Sequence, residues 1–128
     1  MMFNLNSLQN RVVWVDIPVA DLDRAQKFYA AVLGIAVHKE QFGDVSFCVL
    51  DHEGGNGACL IVNAAEVSDK GALVYLNVDK RIQEAVGKVE SNGGSIITPV
   101  HPIGPHGFRA VIMDSEGNRV ALHSTVDS

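Results

Sequence analysis

The chain opens its patterned region with a short apolar run, Arg11-Val12-Val13-Trp14-Val15-Asp16-Ile17-Pro18-Val19, whose β-branched and aromatic residues suit a strand. Pro18 near its end suits an edge or exit position, because proline cannot donate to a strand ladder. The spacing then changes. Leu22, Ala25, Phe28, Tyr29 and Val32 recur every three or four residues and share one helical face, with Asp21 at the N-cap and Gly34 where the helix stops. Three more strand-like runs follow, Ile35 to Lys39, Val45 to Leu50 and Ala58 to Asn63. They are parted by Gly43-Asp44 and by the turn Glu53-Gly54-Gly55-Asn56-Gly57.

After the polar link Val67 to Gly71 the same order restarts. Ala72 to Val78 reads as a strand, Ile82, Ala85, Val86 and Val89 as a helical stripe, and Gly93-Gly94 as its stop. Ser95 to Thr98, Phe108 to Met113 and Arg119 to Ser124 supply three further strands, the last two joined by Asp114-Ser115-Glu116-Gly117-Asn118. Laid over one another, Trp14-Val15-Asp16-Ile17 matches Tyr75-Leu76-Asn77-Val78, and Ala25 and Gly34 match Ala85 and Gly94 after a slip of one residue. The pattern predicts an α+β fold: two tandem βαβββ modules, about 10–64 and 71–125, forming curved mixed sheets around a central cleft within one domain, 1–128. Neither half is long enough to bury a sufficient core alone, so the two must share one. Each sheet carries its helix on one face, and the open faces are expected to meet around the cleft, where inward polar side chains would do any chemistry.

Composition narrows the partners. A formal charge of −5 and scattered basic residues, with Lys80-Arg81 as the only adjacent pair, argue against nucleic acid or an anionic membrane surface. No run approaches the ~20 apolar residues of a membrane span. Met1 to Ser7 lacks the basic cluster and long apolar stretch of an export signal, so the expected location is cytoplasmic. Cys48 and Cys59, in apolar runs, read as buried thiols rather than a disulfide. No phosphate-cradling glycine loop, nucleophile elbow or Cys-x-x-Cys occurs, which argues against nucleotide-dependent and triad chemistry.

Two stretches resemble a known family. Asp21-Leu22-Asp23-Arg24-Ala25 with Phe28-Tyr29 and Leu33-Gly34 looks like the opening of vicinal-oxygen-chelate proteins, the superfamily of glyoxalases, bleomycin resistance proteins and extradiol dioxygenases. Gly93-Gly94, Pro99, Ile103-Gly104, Gly107-Phe108 and Asp114 through Ser124 resemble its branch of proteins related to lactoylglutathione lyase. The resemblance implies a homodimer and, in catalytic members, a divalent metal held by His, Glu or Gln from strands of both modules. Here those positions fall on Trp14, Leu73 and Ala121, with only Cys59 as a donor in Ala58 to Val62, so no cofactor is expected. A displaced metal site through Asp16 and His123 stays open as the alternative.

The candidate ligand-binding residues are Trp14, Asp16, Tyr75, Asn77, Arg109 and His123. Trp14 and Tyr75 form a pseudo-symmetric aromatic pair able to wall a planar ligand; Asp16, Asn77 and His123 are polar positions on the inward side of their strands. Arg109 either clamps an anion or makes a surface salt bridge. Asp16 and His123 are also the candidates for a general base. His101 and His106 sit in the Pro/Gly-rich segment Pro99 to Gly107, read as a lid or a solvated loop, whereas His38 and His52 suggest no role. The expected function is binding of a small organic molecule in the cleft without a catalytic metal. The alternatives are a glyoxalase-like lyase or isomerase, or a dioxygenase-related activity, and a non-catalytic interaction module.

Overall fold

The computed structural model describes residues 10–128, so the opening stretch read above for an export signal lies outside the described residues. Strand β1 (Trp14–Val19) leads into helix α1 (Leu22–Leu33) and strands β2 (Val37–Phe42), β3 (Val45–Leu50) and β4 (Gly57–Val62). Strand β5 (Val74–Asn77), helix α2 (Ile82–Gly87) and strands β6 (Ser95–Pro102), β7 (Phe108–Met113) and β8 (Arg119–Ser124) repeat that order. The sheets repeat it too, as β1-β4-β3-β2 and β5-β8-β7-β6. In each, the first strand pairs parallel with the last and the remaining pairs are antiparallel. The helix is the crossover that a parallel first pair requires.

Local chemistry sets the ends of α1. Asp21 accepts the Arg24 amide at 3.0 Å, and Gly34, at φ 66°, returns its N–H to Ala30. Arg81 completes the stop, since its Nη1 donates to the Val32 carbonyl at 2.9 Å. In the second module the two jobs of the glycine pair separate. Gly93 takes the left-handed turn at φ 98°, while Gly94 lies where a Cβ would come within 2.4 Å of the Met113 carbonyl and 2.7 Å of the Phe28 ring. The match of Gly34 to Gly94 therefore pairs a conformational glycine with a packing one.

One buried cluster serves both modules, as the length demands. It takes Ile17, Val19, Phe28 and Leu60 from the first and Leu76, Val78, Ile112 and Leu122 from the second. The strand residues lie on the helix-facing side of their sheets and Phe28 on the sheet-facing side of α1, and each such side chain stabilises the fold by roughly 1.5–3 kcal/mol relative to exposure. The opposite faces keep apolar residues in solvent, with Phe42 81% exposed and Tyr75 47%. Thus the shared core forms on the helix side, and not by the open sheet faces meeting.

Polar groups lock the modules together where β1 runs into α1. The turn from β7 to β8 supplies them: Tyr29 donates to Asp114 at 2.6 Å, Asn118 Nδ2 donates to the Pro18 carbonyl at 2.7 Å, and Glu116 accepts the Ala20 and Asp21 amides at 3.0 and 2.8 Å. Burial, reinforced by the Asp114 carboxylate, holds the Tyr29 hydroxyl well above its usual pKa.

Several strands differ in extent from the pattern: β1 begins at Trp14 rather than Arg11, β4 spans Gly57–Val62 rather than Ala58 to Asn63, and β5 spans Val74–Asn77 rather than Ala72 to Val78. β2 begins at Val37 rather than Ile35, because the residues after the Gly34 cap still span the turn out of α1, and it continues to Phe42. β6 runs on from Thr98 to Pro102 through two register irregularities. Prolines 99 and 102 are tolerated because β6 is the edge of its sheet, where a missing N–H breaks no ladder on the open side. Much of the expected lid is therefore strand. Among the described residues, no helix is long and apolar enough to cross a membrane.

Candidate functional site

Alternation along β1 and β5 decides which side chains are available. Ile17 and Val19 turn inward under α1, so Trp14 and Asp16 stand on the other face; Leu76 and Val78 do the same for Tyr75 and Asn77. The ladder then builds a row across the second sheet, with Asn77 beside His123, His123 beside Arg109 and Arg109 beside His101.

Tyr75, Asn77, Arg109 and His123 line one cavity of about 660 Å3, joined by Ile103 and His106. Trp14 lines a second cavity, the cleft between the modules, of about 820 Å3, which Tyr75 and Asn77 also border. Asp16 stands apart in a third, of about 390 Å3, beside Pro18 and Glu66, where it accepts a hydrogen bond from the Cys59 thiol at 3.2 Å. Of the six candidates, four share a cavity and Trp14 adjoins them across Tyr75. Asp16 and His123, expected on a common inward side, line different cavities because they belong to the outer faces of different sheets.

Hydrogen bonds fix the orientation of this cluster. Arg109 donates from Nη1 to the Tyr75 hydroxyl at 2.6 Å and from Nε to His101 Nε2 at 3.2 Å, with its guanidinium 5.9 Å from the centre of the Tyr75 ring. His101 Nδ1 lies 2.7 Å from the Pro99 carbonyl, an acceptor only, so the proton sits on Nδ1 and Nε2 is free to accept from Arg109. By the same logic His123 Nε2 carries a proton for the His106 carbonyl, 2.7 Å away.

Several lining residues had no role assigned from sequence. His52 packs edge-on against Trp14, ring centres 5.2 Å apart, and Gly57 makes room for it, since a Cβ there would sit 2.6 Å from the imidazole. Asn56, also lining the cleft, donates to the Val12 carbonyl. A signal for both existed, because Asp51-His52-Glu53-Gly54 repeats Asp114-Ser115-Glu116-Gly117 in type. Ile103 and His106 belong to the Pro99 to Gly107 segment read as a lid or a solvated loop, and both line the cavity.

Comparison with known proteins places this geometry. Residues 11–48 match the family model described as Bleomycin resistance protein-like N-terminal. A glyoxylase-like domain-containing protein of Didymella fabae is 28% identical, over 90% of this chain and 94% of that protein. A glyoxalase/bleomycin resistance protein/dioxygenase family enzyme from Burkholderia phytofirmans PsJN superposes with a TM-score of 0.69 at 20% identity, over 88% of this chain and 97% of its own. This chain has the fold of the vicinal-oxygen-chelate superfamily. A hypothetical protein from S. aureus shares it, with a TM-score of 0.70 at 18% identity over 89% of this chain and 93% of that one.

The superfamily implies a divalent metal, and the donors can be tested against one. Trp14, Leu73 and Ala121 offer none, and burial pushes the Cys59 thiol up to about 11, away from the thiolate that coordinates. Burial raises Cys48 as well. Asp16 and His123 line different cavities, and among the described residues no three of His, Cys, Asp and Glu come together. A guanidinium, a phenol, an amide and two imidazoles, one with its Nε2 proton engaged, with no carboxylate beside them, do not make the donor set of a divalent ion.

Proposed function

We propose that this vicinal-oxygen-chelate protein binds a small organic molecule in the cleft between its modules and does so without a catalytic metal. The observation that carries the reading is the cleft itself. At about 820 Å3 it lies in the size range of small-molecule sites, and Trp14, Leu50, Ala58, Leu73, Val74 and Tyr75 make its walls largely apolar. Trp14 and Leu73, at positions where catalytic relatives are expected to carry ligands, here supply wall surface. Asn56 and Asn77 add the few polar groups that orient a guest. Proteins of this fold include one titled as a glyoxalase/bleomycin resistance protein, from Albidiferax ferrireducens T118, with a TM-score of 0.69 at 19% identity. The reading extends to a cytoplasmic homodimer, in which exposed Phe42 and Val45 are apolar surface for a second copy to cover.

Calorimetric titration with coumarin, a neutral planar probe, tests the proposal. Saturable binding is expected, at least tenfold weaker in Leu73→Phe, which narrows the cleft, and unchanged by EDTA treatment or by added Mn2+ or Zn2+. Binding indifferent to Leu73→Phe would refute the location, and binding that requires a metal would refute the metal-free reading.

A further inference from the structure

We infer that the cavity on the open face of the second sheet is an anion site, built to take the carboxylate of a small organic acid on Arg109. This site adjoins the inter-module cleft along Tyr75, Leu76 and Asn77 but is built on Arg109, which does not line the cleft, so the inference stands whether or not the cleft binds a guest.

The argument begins with charge. In a chain of net charge −5, Arg109 has no carboxylate within 4 Å among the described residues, and residues 1–9 contain no Asp or Glu. Arg24, Arg81, Lys39 and Lys70 are all paired with carboxylates. Arg109 is instead held by two neutral acceptors, the Tyr75 oxygen and His101 Nε2, which aim the guanidinium without neutralising it.

Hydrogen-bond accounting extends the argument. A guanidinium has five N–H groups, and these two bonds use two of them. The Tyr75 oxygen is already an acceptor, so its own hydrogen remains to donate. Asn77 Oδ1 accepts the Asp79 amide at 2.8 Å, which fixes the amide orientation and leaves the Nδ2 hydrogens. Arg109, Tyr75 and Asn77 thus bring unused donors to the lining of one cavity of about 660 Å3, with no carboxylate among the residues that line it.

The rest of the lining selects among anions. Ile103 and the Tyr75 ring give the cavity an apolar side, which an inorganic oxyanion cannot use but the body of an organic acid can. Arg109 offers the planar fork that matches a carboxylate, and Tyr75 O–H offers a third donor at its edge.

The test is calorimetric titration with benzoate, with benzamide and inorganic phosphate as comparators. Benzoate is expected to bind, at least tenfold more tightly than either. Arg109→Gln should weaken benzoate at least tenfold, and Tyr75→Phe, which removes only the hydroxyl, about three- to tenfold. Leu73→Phe should leave benzoate unchanged while weakening coumarin, and Arg109→Gln the reverse, so failure here is distinguishable from failure of the cleft. Should Arg109→Gln not fold, Tyr75→Phe and the benzamide comparison decide. Benzamide or phosphate matching benzoate, an unchanged affinity in the variants, or no benzoate heat up to ~10 mM, where the binding energy falls below roughly 3 kcal/mol, would each overturn the inference.

Discussion

Replacing Glu116 by Gln should destabilise the protein at neutral pH and cost progressively less as the pH falls. The Glu116 side chain is fully buried at the junction of the modules, where it accepts the Ala20 and Asp21 amides, the Ser115 hydroxyl at 2.9 Å, and Arg24 Nε and Nη2 at 2.7 and 2.9 Å. Burial alone would raise its pKa; the hydrogen bonds from Arg24, the Asp21 amide, Ser115 and the Ala20 amide outweigh that and lower it from 4.5 to about 2. Each pKa unit corresponds to about 1.4 kcal/mol, so the ionised side chain contributes at most about 3 kcal/mol. Arg24 is 51% exposed and partly screened by solvent, which brings the expected contribution to about 2 kcal/mol.

The sign follows from linkage. A folded-state pKa below the unfolded value gives stability that is fully present above about 4.5 and is lost as the pH falls towards 2. Glu116→Gln keeps the shape and one acceptor oxygen but removes the charge. Urea unfolding at pH 7 should show a loss of about 2 kcal/mol, and at pH 3 the deficit should shrink by more than half. A deficit equal at both values, or below about 0.5 kcal/mol at pH 7, would refute the assignment of this carboxylate as the ionic lock between modules.

Two further outcomes test the fold. Gly94→Ala should cost roughly 2–3 kcal/mol in urea unfolding, because its Cβ meets the Met113 carbonyl and Phe28, whereas Gly43→Ala, left-handed at φ 61° but in open space, should cost only about 1–2 kcal/mol. Cys48 and Cys59 should resist iodoacetamide at pH 7 in the native protein and react fully in denaturant, since both are buried and burial holds both thiols protonated; rapid native labelling of Cys59 would contradict that placement.

The order of strands and helices, their duplication, and the Asp21 and Gly34 boundaries were legible in the chain, because apolar periods of two and of three to four residues, capping and left-handed turns are local properties. Alternation within one strand also determined that Tyr75 and Asn77 share a face. Local pattern did not determine which faces meet. Asp16 and His123 share an inward side by alternation, yet the modules join through their helix-facing sides, so Asp16 is separated from His123, and Tyr75, Leu76 and Asn77 border both the cleft and the anion cavity. The row Asn77-His123-Arg109-His101 likewise exists only because β8 inserts between β5 and β7, aligning residues far apart in the chain. Periodicity records which side of its own strand a residue occupies; pairing register and module docking depend on long-range contacts, and those decided which side chains form a site.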